Sequence, residues 1–236
     1  MEGVIAWFAT LDWAAIGQII LIDILLGGDN AVVIALACRN LPAKQRRLGI
    51  FWGAAGAIVL RVILITFAVA LLNVPALKLI GGALLIWIGV KLIAPPAEDG
   101  HADIQASDKL WAAIKTIIVA DLVMSFDNVI AIAGAAEHAD PGHRTGLIIF
   151  GLLVSVPFIV YGSQLVLKLL DRFPVIVLLG GALLGWIAGG LMIGDVLVKD
   201  HLPDDRALYY GACAAGALLV VVVAKLAARG RGGAAA

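Results

Sequence analysis

The chain has 236 residues, 62% of them hydrophobic and only 14% charged, with a mean hydropathy of +1.04. A soluble domain of this length has too little interior to hide so much apolar surface, so the composition points to a polytopic helical membrane protein. The formal net charge is zero, which gives no basis for a nucleic-acid partner.

The opening Met1-Glu2-Gly3 lacks the basic region and cleavage site of a signal peptide, so the first apolar run is expected to stay as an anchor. Seven apolar runs follow, at 14–38, 48–72, 75–93, 111–136, 146–169, 174–194 and 207–227, each near the ~20 residues a spanning helix needs. None shows the strict alternation of a barrel strand. Leu41-Pro42-Ala43-Lys44, Asn73-Val74-Pro75 and Ala94-Pro95-Pro96 supply the breaks. The polar linker at 94–110, with Glu98, Asp99, Asp103 and Asp108, divides the chain into halves.

Those halves repeat each other. Asp23-Ile-Leu-Leu-Gly-Gly-Asp29-Asn30 returns as Asp121-Leu-Val-Met-Ser-Phe-Asp127-Asn128, an offset of 98. Gly81-Gly82-Ala-Leu-Leu-Ile-Trp87-Ile returns as Gly180-Gly181-Ala-Leu-Leu-Gly-Trp186-Ile, an offset of 99. Two independent matches at nearly one offset indicate a duplication: repeat one at 14–93, repeat two at 111–194, and a seventh helix at 207–227. With three helices per repeat, the second copy enters the bilayer from the opposite side, so the expected fold is an inverted pair within one transmembrane domain. Many secondary transporters share this architecture, with their sites at mid-depth. Inner loops and the tail hold most of the Lys and Arg when the N-terminus is outside, which predicts N-out, C-in.

Carboxylates inside a membrane cost several kcal/mol unless paired, hydrated or bound to a cation. Asp23, Asp29, Asp121 and Asp127, with Asn30 and Asn128, are therefore the candidate site. On a straight helix Asp23 and Asn30 share a face but stand ~10 Å apart along the axis, and Asp29 lies about 120° round from Asp23. One helix cannot wrap a small ion with all three. Gly27-Gly28 offers a break whose freed carbonyls could serve as ligands; Ser125-Phe126 gives the second copy weaker support for one. Two antiparallel registers would bring carboxylates of the two copies together. Either Asp29 and Asn30 meet Asp127 and Asn128, or Asp23 meets Asp127 while Asp29 meets Asp121. Arg61, the one arginine deep within a run, aligns with Ile159 and offsets one carboxylate.

Carboxylate and amide oxygens suit hard divalent cations, and the absence of His or Cys from both stretches argues against zinc or copper. Met124 reads as packing, and Cys38 and Cys213 as small buried hydrophobes. All four histidines lie in loops; ordinary solvation explains them better than a metal-collecting patch around His138 and His143. Asp195, near the outer end of the sixth run, reads as an interfacial structural group. Crowded carboxyls also suggest exchange of metal against protons.

At these residues the chain resembles the TerC family of integral membrane proteins, within the LysE-type exporter superfamily, and looks like its shorter, YjbE-like branch. The resemblance implies export of a divalent metal ion, most often Mn²⁺, across the cytoplasmic membrane, with Mn²⁺ as cargo rather than cofactor. It also implies that the matching acidic and amide residues are the ligands. Inward movement of protons or Na⁺ is the expected coupling, and the chain is expected not to be an enzyme. The Gly-x-Gly-Asp signature of intramembrane aspartyl proteases is replaced by Leu26-Gly27-Gly28-Asp29 and Met192-Ile193-Gly194-Asp195. Export of a small organic or amino-acid solute, or a role in assembling other membrane proteins, are the alternatives.

Overall fold

A computed structural model of the chain describes residues 13–72, 74–94, 106–136, 144–199, 201–203 and 205–232. Every regular element among them is helical. Most of the acidic linker and the loop carrying His138 and His143 lie outside the described residues. His201 is exposed, with a ring nitrogen 3.1 Å from the Leu197 carbonyl.

The first apolar run is two helices. α1 covers Trp13–Leu26 and α2 covers Gly28–Cys38. Gly27 leaves the helical backbone at φ −93°, ψ 2°, and Ile16–Leu25 and Gly28–Cys38 meet at 48°. A Cβ on Gly27 would collide with the Asp23 carbonyl oxygen, so this turn requires glycine. Gly28, by contrast, faces open space.

Pro42 precedes α3, Ala43–Leu72. Proline fits just before or within the first turn, where its missing N–H costs nothing. α4, Leu77–Ile93, follows Pro75 and Ala76, the latter in the left-handed region at φ 64°. α5 is a continuous helix, Ala106–Ala136. It begins inside the expected linker, because Ala106-Ser-Asp-Lys carries nothing that stops a helix. α6, Arg144–Arg172, runs through Pro157. α7, Val175–Ile193, follows Pro174; the single turn α8, Val196–Lys199, and the long α9, Arg206–Gly232, complete the chain.

The helices pack in matched pairs. α3 lies along α5, α6 along α1 and α2, α4 along α7, and α9 along α7. Small residues set the last two distances. A Cβ on Gly185 would strike the Gly216 backbone and one on Gly189 the Ala212 backbone, so α7 and α9 touch main chain to main chain. Gly82 of α4 sits against Ala188 and Met192 of α7, while Gly89 sits against Gly181.

Leu25, Phe67, Trp87, Tyr161, Leu179 and Leu218 are exposed. Large apolar chains facing outward all round a helical bundle are the arrangement expected for lipid contact. Among the described residues four helical stretches are long and apolar enough to cross a membrane: Ala43–Ile65, Gly146–Arg172, Val175–Ile193 and Arg206–Ala228. The bent pair α1/α2 is a fifth if counted as one broken span. The other two expected runs are also helical. α4, at 17 residues, is only about 25 Å long against ~30 Å of hydrocarbon, and α5 carries Asp108, Lys109, Lys115, Asp121 and Asp127.

Candidate functional site

Three buried charged groups meet beside the break between α1 and α2. Arg61 of α3, Asp23 of α1 and Asp121 of α5 are 2%, 1% and 5% exposed. The guanidinium is shared between the two carboxylates. Its Nη1 donates to Asp23 Oδ1 in a short charged hydrogen bond, and its Nη2 donates to Asp121 Oδ1 at 2.5 Å. Nε donates to Ser125 Oγ at 3.1 Å, and that hydroxyl donates to Asp121 Oδ2, also at 3.1 Å. The remaining oxygen of Asp23, Oδ2, accepts from Ser155 Oγ of α6. All four carboxylate oxygens therefore have a donor, which is the condition for holding charges in a low-dielectric interior. A planar fork of N–H donors is what allows one base to serve carboxylates from two helices at once.

Asp23 and Asp121 occupy equivalent positions of the two repeats. Neither register considered from the sequence names this meeting, and the side chain of Asp127, which both registers involve, lies outside the described residues. Arg61 pairs with both carboxylates, so it offsets two of them, not one.

Asp29 is partly exposed, in the first turn of α2, and accepts the Asn30 backbone N–H at 2.8 Å. A carboxylate at a helix N-terminus is favoured by the unpaired N–H groups and the helix dipole. Asn30 is 4% exposed, and neither its Oδ1 nor its Nδ2 has a hydrogen-bond partner among the described residues. Buried amides are nearly always satisfied, so this one requires an explanation. It lines a cavity of about 10 Å³ with Val33, Ile34, Ile117 and Asp121, room on the scale of one water or small ion.

Asn128 is buried on α5, and the side chain of Asp127 lies outside the described residues. Among the described residues no group of three or more His, Cys, Asp or Glu forms a metal-holding cluster. Met124 packs in a buried cluster with Val33, Leu85 and Leu184.

A larger cavity of about 620 Å³ opens where α2 ends, lined among others by Asn40, Lys91, Lys109 and Thr116. Lys91 sits 5.0 Å from the centre of the Trp87 ring. On α2, Leu36 and Ala37 face this cavity while Val33 and Ile34 face the small one; on α5, Ala113 and Thr116 face the large and Ile117 the small. About one helical turn of apolar side chains separates the two.

Asp195 is buried outside the site. It accepts backbone N–H groups of Ala76, Lys78, Leu79 and Leu197 at 2.9–3.2 Å. Burial alone would raise its pKa, but these four donors outweigh burial and hold it below the ordinary 3.8. It caps the start of α4, which has no side-chain cap of its own.

Sequence reasoning missed Ser155 and gave Ser125 no role at the site. The available signal was weak: a small hydroxyl in an apolar helix also marks ordinary close packing.

The fold defines a class, a multi-pass helical membrane protein with a buried polar centre. The chain belongs to the integral membrane protein TerC family, which matches residues 8–232. It is similar to the membrane protein YjbE of Bacillus subtilis, 44% identical over 174 residues that cover 74% of this chain and 77% of that one. YceF of the same organism is 25% identical over 186 residues, covering 75% and 70%. The inner membrane protein YgdQ of Escherichia coli is 24% identical over 211 residues, covering 81% and 84%. No solved structure matches the chain.

Proposed function

We propose that the protein exports a hard divalent cation, Mn²⁺ foremost, across the cytoplasmic membrane, as the LysE-type resemblance suggests, without enzymatic activity. The observation that carries this reading is the convergence of Asp23 and Asp121, from two different helices, beside a buried Asn30 whose side chain has no partner among the described residues. Carboxylate and amide oxygens at mid-depth are the donors a hard cation takes. Asp29, Asp127 and Asn128 complete the proposed ligand set, with Gly27 and Gly28 providing the break that frees α2 to carry Asp29 and Asn30. Protons or Na⁺ moving inward would drive the cycle.

In this reading the chain spans the bilayer seven times, N-out and C-in, as two inverted three-helix repeats and a last helix. The packing supports inversion. An offset of 99 maps Gly82 to Gly181 and Gly89 to Ala188, and the contacts Gly82–Ala188 and Gly89–Gly181 exchange under it. A twofold axis across the helices generates that pattern. The larger cavity then faces the cytoplasm.

The test is Mn²⁺ content in cells lacking the protein, grown in excess Mn²⁺. Wild type should restore a low content; Asp29→Asn, Asp121→Asn and Asp127→Asn should not. Normal export by all three would remove the site. A second reading, export of an anionic or amino-acid solute, is favoured by the size of the larger cavity and its Lys91 and Lys109. It predicts solute efflux indifferent to divalent cations.

A further inference from the structure

We propose that Arg61 is a tethered counter-ion: it fills the carboxylate pair when cargo is absent, and a cation gains Asp121 only as Arg61 gives it up. The inference rests on the cation reading above and concerns how the site is kept when empty. Both oxygens of Asp23 and both of Asp121 already have donors. A cation arriving at Asp121 meets a site held by the protein's own positive charge.

The place where the cation would arrive is present. Asp121 lines the small cavity together with Asn30, whose amide oxygen and nitrogen are buried and have no partner among the described residues. A cation there takes an oxygen from each side, one from α2 and one from α5. Asp23 lines no part of that cavity, so Arg61 can keep its bond to Asp23 while it releases Asp121. The exchange is energetically linked. Breaking a buried ion pair outright leaves an uncompensated charge, but replacement of the guanidinium by the cargo leaves Asp121 compensated throughout.

The duplicated fold does not itself demand a base at this position. Ile159, the residue that aligns with Arg61, is buried in a cluster of apolar side chains drawn from both halves of the chain. The arginine also ties α1 to α5 from a third helix, so release of one arm changes what holds those helices together. Loading and rearrangement of the bundle are thereby coupled at one side chain.

The experiment compares Mn²⁺ binding to the purified full chain, from the loss of the free-ion paramagnetic resonance signal, with Mn²⁺ export in cells. Arg61→Met removes the competitor, so binding should tighten at least tenfold while export falls at least fivefold. Arg61→Lys, which keeps the charge but not the fork, should fall between it and wild type. If Arg61→Met does not fold, Arg61→Met/Asp23→Asn should still bind more tightly than Asp23→Asn alone. Folded variants that bind no more tightly than their parents overturn the proposal while leaving the cation reading intact. Wild type that neither binds nor exports Mn²⁺ overturns both.

Discussion

The two acidic stretches share the Asp, Asp-Asn pattern, and one of the positions where they diverge decides their shapes. Four residues after Asp23 stands Gly27; four residues after Asp121 stands Ser125. In the first copy the glycine lets the chain turn against the Asp23 carbonyl, and a new helix starts with Asp29 and Asn30 in its first turn. In the second copy the helix continues, and the serine hydroxyl joins Arg61 to Asp121. Asp121 thus draws its second donor from its own helix, whereas Asp23 must take one from Ser155 on α6. The shared pattern carries two carboxylates, and its differences give one a bend and the other a built-in donor.

The largest test of this contrast is removal of each carboxylate's charge. Asp23→Asn should destabilise the detergent-solubilised protein by about 3–5 kcal/mol, the cost of breaking a buried pair. It should exceed Asp121→Asn by about 1 kcal/mol, the worth of the extra cross-helix hydrogen bond. Equal losses on thermal unfolding would make the two copies equivalent after all. Next is the bend: Gly27→Ala forces a Cβ onto backbone and should cost about 3 kcal/mol. Gly28→Ala, one residue on and facing open space, should stay within about 0.5 kcal/mol. Similar losses at both would mean that flexibility, rather than close approach, selects glycine here.

Ser125→Ala leaves Arg61 Nε and one oxygen of Asp121 unmet and should cost about 1–3 kcal/mol. Ser125→Gly should cost more than Ser125→Ala, since glycine adds about 1 kcal/mol of helix penalty. A smaller loss for the glycine would show that α5 tolerates the bend of the first copy. Far from the site, Asp195→Asn should cost about 1 kcal/mol for a weakened cap. Because Asp195 is held below 3.8 when folded, its carboxylate contributes stability above that value and loses it as pH falls through the lower folded pKa. Unfolding curves of Asp195→Asn and wild type should therefore converge in strong acid.

Much of the fold was legible because proline and glycine punctuate it. Pro42, Pro75 and Pro174 stand just before α3, α4 and α7, and Gly27-Gly28 marks the break. The start of α5 was misplaced, since a few polar residues before an apolar run can extend its helix at little cost. The candidate residues were legible as charges that hydrocarbon would not retain without compensation. Their pairing was not, because helical spacing relates residues within one element. The partner that joins them, Arg61, comes from a third helix, and its position in the repeated pattern offers only Ile159 for comparison.

The main-chain contact of α7 with α9 has a mechanical consequence. Gly185 on Gly216 and Gly189 on Ala212 leave no side-chain layer to shear, and Gly82 and Gly89 bring α4 almost as close to α7. These three helices form a stiff plate. Arg61, Asp23 and Asp121 all belong to helices outside it. Deformation of the bundle is therefore expected to fall on α1, α2, α3, α5 and α6, with the plate as their fixed wall.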